Sequence, residues 1–177
     1  VDPVTHRMIL DAFGNLQTET RAVADAARRV REARAALNEH RSRIEKARKL
    51  MVDNKISAIY LEGGSSMFYY TGVRWGNSER PFVCVIPAKG ELGWVCPAFE
   101  EERARELVKG QADVRVWQED ESPYRQIAGI LKDRGTTGRV GVEERLRFFI
   151  FSGVKKEAAG ADFGDAEVIT AGCRMRQ

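Results

Sequence analysis

From Leu16 to Met51 a large apolar side chain returns at every seventh position: Leu16, Val23, Val30, Leu37, Ile44 and Met51. Three places after each stand Glu19, Ala26, Ala33, His40, Ala47 and Asn54. No Gly or Pro interrupts Thr18 to Asn54, and Ala, Arg and Glu dominate, all strong helix formers. A seven-residue period is close to two turns of an α-helix, so these side chains form one stripe. It is half a coiled-coil pattern, large at one seam position and mostly Ala at the other, which would let a partner helix come close. A lone helix cannot bury such a stripe, so it must lie on its own domain or on another chain. The reading is one long helix, or a helical hairpin broken near "LNEH" (37–40), because helices much beyond about 25 residues are unusual in globular domains. His40, on the stripe, is expected to pack or to sit in an interface rather than to act as a ligand or base.

The same stretch carries the charge asymmetry. Arg21 to Lys49 holds ten Lys and Arg against four Asp and Glu, although the whole chain is only +3. A basic helical arm on a mildly acidic body could touch nucleic acid or an acidic partner. A solvated face is the commoner outcome, and no nucleic-acid partner is expected. No apolar run approaches the ~18–20 residues needed to span a bilayer, so no membrane partner is expected either. The start, "VDPVTHRMILDAFGNL", lacks the layout of a secretory signal and favours the cytoplasm. Cys84, Cys96 and Cys173 make no C-x-x-C pair, and His6 and His40 are the only histidines, which leaves no zinc pattern. Buried free thiols are the expectation.

After Asn54 the texture changes to alternating strands and helices. "ISAIYLEG" (56–63) reads as a strand, and "PFVCVIPAKGELGWVCP" (81–97) as a hairpin turning at "AKG". "AFEEERARELVKG" (98–110) reads as a helix closed by Gly110, and "ADVRVWQED" as a strand. "SPYRQIAGILKDRG" reads as a helix with Ser122 as cap, Pro123 at its first position and Gly135 as stop. "GRVGVEE" is a strand, "LRFFIFSGVKKEAAG" a helix, and "DFGDAEVITAG" a last strand. The alternation predicts an α/β fold with helices on both faces of the sheet, and the hairpin makes that sheet mixed.

Little in this half of the chain assembles into chemistry. "EGGSS" (62–66) follows a strand without a P-loop lysine and reads as a turn. Ser65 and Ser66 lack a G-x-S-x-G setting and a suitable histidine. The acidic runs at 100–103, 119–121 and 143–144 read as helix starts and strand ends. Carboxylates from two strand ends could hold a metal, but no histidine or third acid completes a set. No catalytic residue and no metal ligand is assigned.

The order of elements carries more. "RIEKARKLMVDNKISAIYL" leads into "SSMFYYTG", then the hairpin "RPFVCVIPAKGELGWVCP", the helix "FEEERAREL" and finally "VITAGCRMR" (168–176). From Arg43 to Arg176 this resembles the amino-terminal domain of the creatinase / Xaa-Pro peptidase family, the pita-bread metallopeptidases that include prolidase and aminopeptidase P. That family often reads Tyr-Leu-Thr-Gly where this chain has Tyr69-Tyr70-Thr71-Gly72. The resemblance implies a ribonuclease H-like α/β domain with a mixed sheet at 43–172, preceded by a helical extension at 1–42 and followed at 173–177 by the start of a linker. It also implies a separate catalytic domain carrying two Asp, one His and two Glu around two divalent metal ions, manganese being the expected metal. The substrate would be a proline-containing dipeptide or peptide, and the partners that catalytic domain and a second copy in a homodimer. The 177 residues alone would be inactive. "FYYTG" would then be a core-facing strand end and turn supporting the loop "VRWGNSERP" (73–81). In that loop Arg74, Trp75 and Arg80 would line the substrate opening, with arginine placed to pair with a substrate carboxylate. The plainer expectation is a Trp covering the sheet and arginines in solvent. A stand-alone interaction module, a catalytically dead relative, and a creatinase-like C–N hydrolase are the alternatives.

Overall fold

The computed structural model describes residues 2–108 and 113–174. The chain divides into two compact units, residues 1–39 and 40–177, each described by itself. Helix α1, Pro3–Asp53, runs through the division without interruption. The hairpin break at 37–40 therefore does not occur: "LNEH" contains neither Gly nor Pro, and nothing local ends the helix there. Asp2 starts it, its carboxylate accepting from the Thr5 N–H at 3.3 Å and the Thr5 hydroxyl at 3.2 Å, ahead of Pro3 at the first position.

In the first unit the stripe is open. Leu16, Val23, Val30 and Leu37 are 59%, 68%, 64% and 48% exposed. In the second unit the same heptad phase is covered: Ile44 is 9% exposed and Met51 is fully buried, as is Ala47 between them.

The second unit is built on a six-stranded mixed sheet. Its strands are β1 (Ile56–Glu62), β2 (Val83–Pro87), β3 (Gly93–Pro97), β4 (Asp113–Trp117), β5 (Arg139–Val142) and β6 (Phe163–Asp165), in the order β4-β3-β2-β1-β5-β6. β2 runs antiparallel to β1 and β3, whereas β4, β5 and β6 pair in parallel. The helices are α2 (Ser65–Thr71), α3 (Glu101–Val108), α4 (Pro123–Asp133), α5 (Phe148–Glu157) and α6 (Glu167–Arg174).

Alternate residues of the central strands feed two apolar layers. Ile59, Leu61, Cys84, Ile86, Trp94 and Cys96 meet Met51 of α1, Met67 and Tyr70 of α2, Ala104 of α3 and Ile169 of α6. Ala58, Tyr60, Val83, Val85 and Val95 meet Ile127, Ile130 and Leu131 of α4 with Ile150 and Val154 of α5. Because both faces are covered, β1, β2 and β3 are apolar along nearly their whole length instead of alternating. The expected α/β architecture with helices on both faces is thus the observed one.

Two segments differ from expectation. "SSMFYYT" forms α2 rather than a strand end, because Ser66, Met67 and Tyr70 share one buried face. Thr71 Oγ1 donates back to the Met67 carbonyl at 2.7 Å, and Gly72 closes the helix at φ +75°. "DFGDAEVITAG" splits into β6 and α6. The Asp165 carboxylate accepts the Glu167 N–H at 2.8 Å and starts the helix, against the β-branched run Val168-Ile169-Thr170 that suggested a strand. Ser122 precedes α4 without capping it by its side chain. Gly110 and the end of "CRMR" lie outside the described residues.

Candidate functional site

The segment 73–81 lies between α2 and β2, and its position is fixed from several sides. Gly63, after β1, lets it come close: a Cβ there would sit 2.9 Å from the Trp75 carbonyl oxygen and 3.3 Å from that of Gly76. The buried Glu62 carboxylate accepts from Arg147 twice, from its N–H at 3.0 Å and its Nε at 2.7 Å. The same guanidinium donates through Nη1 to the Ser78 carbonyl at 2.6 Å. Trp117 Nε1 donates to the Pro81 carbonyl at 3.3 Å.

Trp75 is 6% exposed. Its ring stacks on Phe82 with centroids 3.8 Å apart and planes 9° from parallel, and the Arg103 guanidinium lies 4.5 Å from its centroid. The indole therefore pins the segment to the sheet. Arg74 is exposed, lies 3.8 Å over the Phe68 ring, and pairs with no acid among the described residues. Arg80 is engaged, with Nε 2.7 Å from Glu119 and Nη1 2.6 Å from Glu79. The hydrogen bond that its guanidinium donates to the Glu119 carboxylate holds the Arg80 pKa above the ordinary value. The three residues singled out in the sequence thus sit in one held segment with three different surroundings.

His40 and Arg43 reach the end of α2 together. His40 Nδ1 lies 3.0 Å and Arg43 Nη1 2.9 Å from the Tyr69 carbonyl oxygen, so His40 carries its proton on Nδ1. A hydrogen-bonded imidazole at a helix C-terminus is a packing role, as expected for the stripe. Sequence reasoning missed Glu62 and Arg147, because eighty-five positions separate them.

The strand-end carboxylates each have a partner of their own. Glu62 closes β1, and Glu143, also buried, follows the parallel strand β5. Glu62 is held by Arg147, Glu143 accepts from the Ser66 hydroxyl, and Glu144 accepts from Thr170 Oγ1 at 3.2 Å. A cleft of about 460 Å³ opens beside Glu143 and Glu144, walled by Phe148, Phe151 and Phe163. Among the described residues no group of three or more His, Cys, Asp or Glu could hold a metal ion. The two described cysteines are unpaired and buried. Burial, with the Glu101 charge adding to it, pushes the Cys96 thiol up to about 11, and burial raises Cys84 as well. Neither is a poised nucleophile.

Fold and site together define an α/β domain with a mixed sheet, helices on both faces, and a surface segment held at one end of that sheet. A family model described as Creatinase/Prolidase N-terminal domain matches residues 43–176, and the chain belongs to that family. Similar solved structures include dipeptidase PepE from Mycobacterium ulcerans, 20% identical with a TM-score of 0.69, covering 78% of this chain and 37% of that one. A dipeptidase from Pyrococcus horikoshii OT3 is 24% identical with a TM-score of 0.64, covering 75% and 36%. The Creatinase/Prolidase N-terminal domain of an X-Pro dipeptidase from Streptococcus pyogenes is 17% identical with a TM-score of 0.63, covering 74% and 98%. At these identities the likeness is one of fold. The chain spans little more than a third of the length of the first two proteins. No curated protein sequence matches it. No described helix is long and apolar enough to cross a membrane.

Proposed function

We propose that this chain is the non-catalytic amino-terminal domain of a metal-dependent Xaa-Pro dipeptidase or aminopeptidase. The observation that carries the reading is the family match over residues 43–176. In this reading residues 1–42 are an extension, 43–172 the domain and 173–177 the start of a linker to a catalytic domain, in a cytoplasmic homodimer. Two divalent ions, manganese in the first instance, would be held by that catalytic domain. The described donors of this chain do not form such a set, so no hydrolytic step is assigned to them.

The segment 73–81 would shape the substrate opening. A segment held by Gly63, Arg147 and the Trp75–Phe82 stack presents its surface groups at little ordering cost. Arg74 is the cation available for a substrate carboxylate, whereas Arg80 would first have to exchange Glu119. Trp75 acts by keeping the segment in place.

The test compares the longest natural product of the gene with this 177-residue segment, assayed on Xaa-Pro dipeptides with added manganese. Activity in the long form alone is expected. Activity in neither would turn the reading to creatinase-like chemistry or a binding module, and activity in the short segment would overturn it. In the long form, Arg74→Ala should raise KM more than it lowers kcat. Unchanged affinity after changing both Arg74 and Trp75 would remove the loop from the opening.

A further inference from the structure

The family match begins at residue 43 and leaves the first unit without an account. Five large side chains at one heptad phase, Ile9, Leu16, Val23, Val30 and Leu37, are each about half or more exposed there, from 48% to 68%. Isolated exposed apolar residues need no explanation. Five on one line of one helix do, because a strict seven-residue period keeps a seam facing a neighbour only where two helices wind around each other.

We propose that the segment 3–39 of α1 pairs antiparallel with the same segment of a second copy of this chain, Leu16 of each against Ala33 of the other. Sequence and charge both select the second copy and the direction. The other seam position holds Ala12, Glu19, Ala26 and Ala33. A parallel, in-register pair would set large on large and Ala on Ala in alternate layers, leaving the Ala layers underfilled and Glu19 against its own copy. Reversing one helix about a point between residues 24 and 25 sets Leu16 on Ala33, Val23 on Ala26 and Leu37 on Ala12. Each such layer then joins one large side chain to one small one, and the helix separation stays even along the seam.

Glu19 falls opposite Val30, in the turns that carry Arg28, Arg29, Arg31 and Arg34. Residues 2–19 hold three acids and one arginine, whereas 28–34 hold four arginines and one acid. Within the overlap, Asp11 and Glu19 of one helix face residues 30–39 of the other, where Arg31 and Arg34 balance Glu32 and Glu39, whereas a parallel in-register pair would set Asp11 and Glu19 against their own copies. Overlap from residue 10 to residue 39 is about 45 Å of helix at 1.5 Å per residue. The proposal does not depend on the peptidase reading.

The test uses the full 177-residue chain. Sedimentation equilibrium should give twice the 19.9 kDa chain mass, and Val23→Glu with Val30→Glu should return it to one chain mass with the domain's unfolding midpoint unchanged. Direction is read by mild oxidation in a Cys173→Ser background. A chain with both Leu16→Cys and Ala33→Cys should lock into a covalent dimer, and a chain with Leu16→Cys alone should not. A monomer at all concentrations, a dimer that survives both glutamates, or efficient linking through position 16 alone would each overturn the proposal.

Discussion

Residues 3–39 and 40–53 of α1 share one helix and one heptad phase and end in opposite environments. Leu16, Val23, Val30 and Leu37 face solvent, whereas Ile44 and Met51 lie in the core beside Met67 and Trp94. The flanking small residues are similar in both parts, Ala26 and Ala33 in one and Ala47 in the other. What separates them is the neighbour. From residue 40 onward the helix has tertiary partners, namely the Tyr69 carbonyl for His40 and Arg43 and the Pro87 carbonyl for Arg48 at 3.1 Å. A periodic stripe specifies that something must cover it, and the rest of the chain decides whether that something is internal.

The widest separation between the two parts should come from truncating the stripe in each. Met51→Ala empties a fully buried site and should cost about 2–5 kcal/mol, read as a lower urea midpoint of the domain. Val30→Ala, at the same phase but exposed, should move that midpoint by less than about 0.5 kcal/mol. Equal losses would abolish the distinction. Next in size, Arg147→Met strands the buried Glu62 carboxylate and should cost about 3 kcal/mol. Faster amide exchange at residues 76–80 should accompany it, since the Ser78 tether goes too; unchanged exchange would show that the segment is held by other means.

Gly72→Ala sharpens the comparison at the join between α1 and α2. A Cβ there, at φ +75°, would lie 2.8 Å from His40 Nε2, and a loss of about 1–2 kcal/mol is expected from the left-handed backbone alone. A neutral outcome would mean that the end of α2 is not held in this left-handed conformation.

The smallest effect concerns β4, at one edge of the sheet. Burial alone would raise the Asp113 carboxyl, but hydrogen bonds and charge from Arg115 and Arg134 outweigh it and hold it below the ordinary value. The folded chain thus binds that proton less readily than the unfolded one. Asp113 adds stability above about pH 4, and the contribution fades as pH falls through the folded value. Asp113→Asn should flatten the acid limb of the stability profile; an unaltered limb would show the ion pairs contribute nothing there.

Much of the architecture was legible because its signals are local. β1 and the β2–β3 hairpin announce themselves by apolar runs and a Lys-Gly turn, and α4 by Pro123 at its first position. The misread segments are those where local preference and tertiary burial disagree. Phe68, Tyr69 and Tyr70 favour a strand by type, yet α2 is helical because that spacing buries Met67 and Tyr70 together and Gly72 can close it. Val168 and Ile169 favour a strand too, and the Asp165 cap overrides them. Of the site, Arg74, Trp75 and Arg80 are singled out through the family resemblance of the segment around them. Glu62 and Arg147 could not be found in the sequence, since their pairing exists only once β1 ends beside the start of α5.

The sequence by itself determined the helical character of the first fifty or so residues, the alternation that makes a mixed sheet with helices on both faces, and the family, because propensity, period and element order are written along the chain. Tertiary structure alone decided which heptads are buried, that Trp75 pins its segment while Arg74 stays available, and that the strand-end carboxylates are already engaged. Those outcomes depend on groups distant in sequence sharing one low-dielectric, close-packed space, where burial and pairing are settled together.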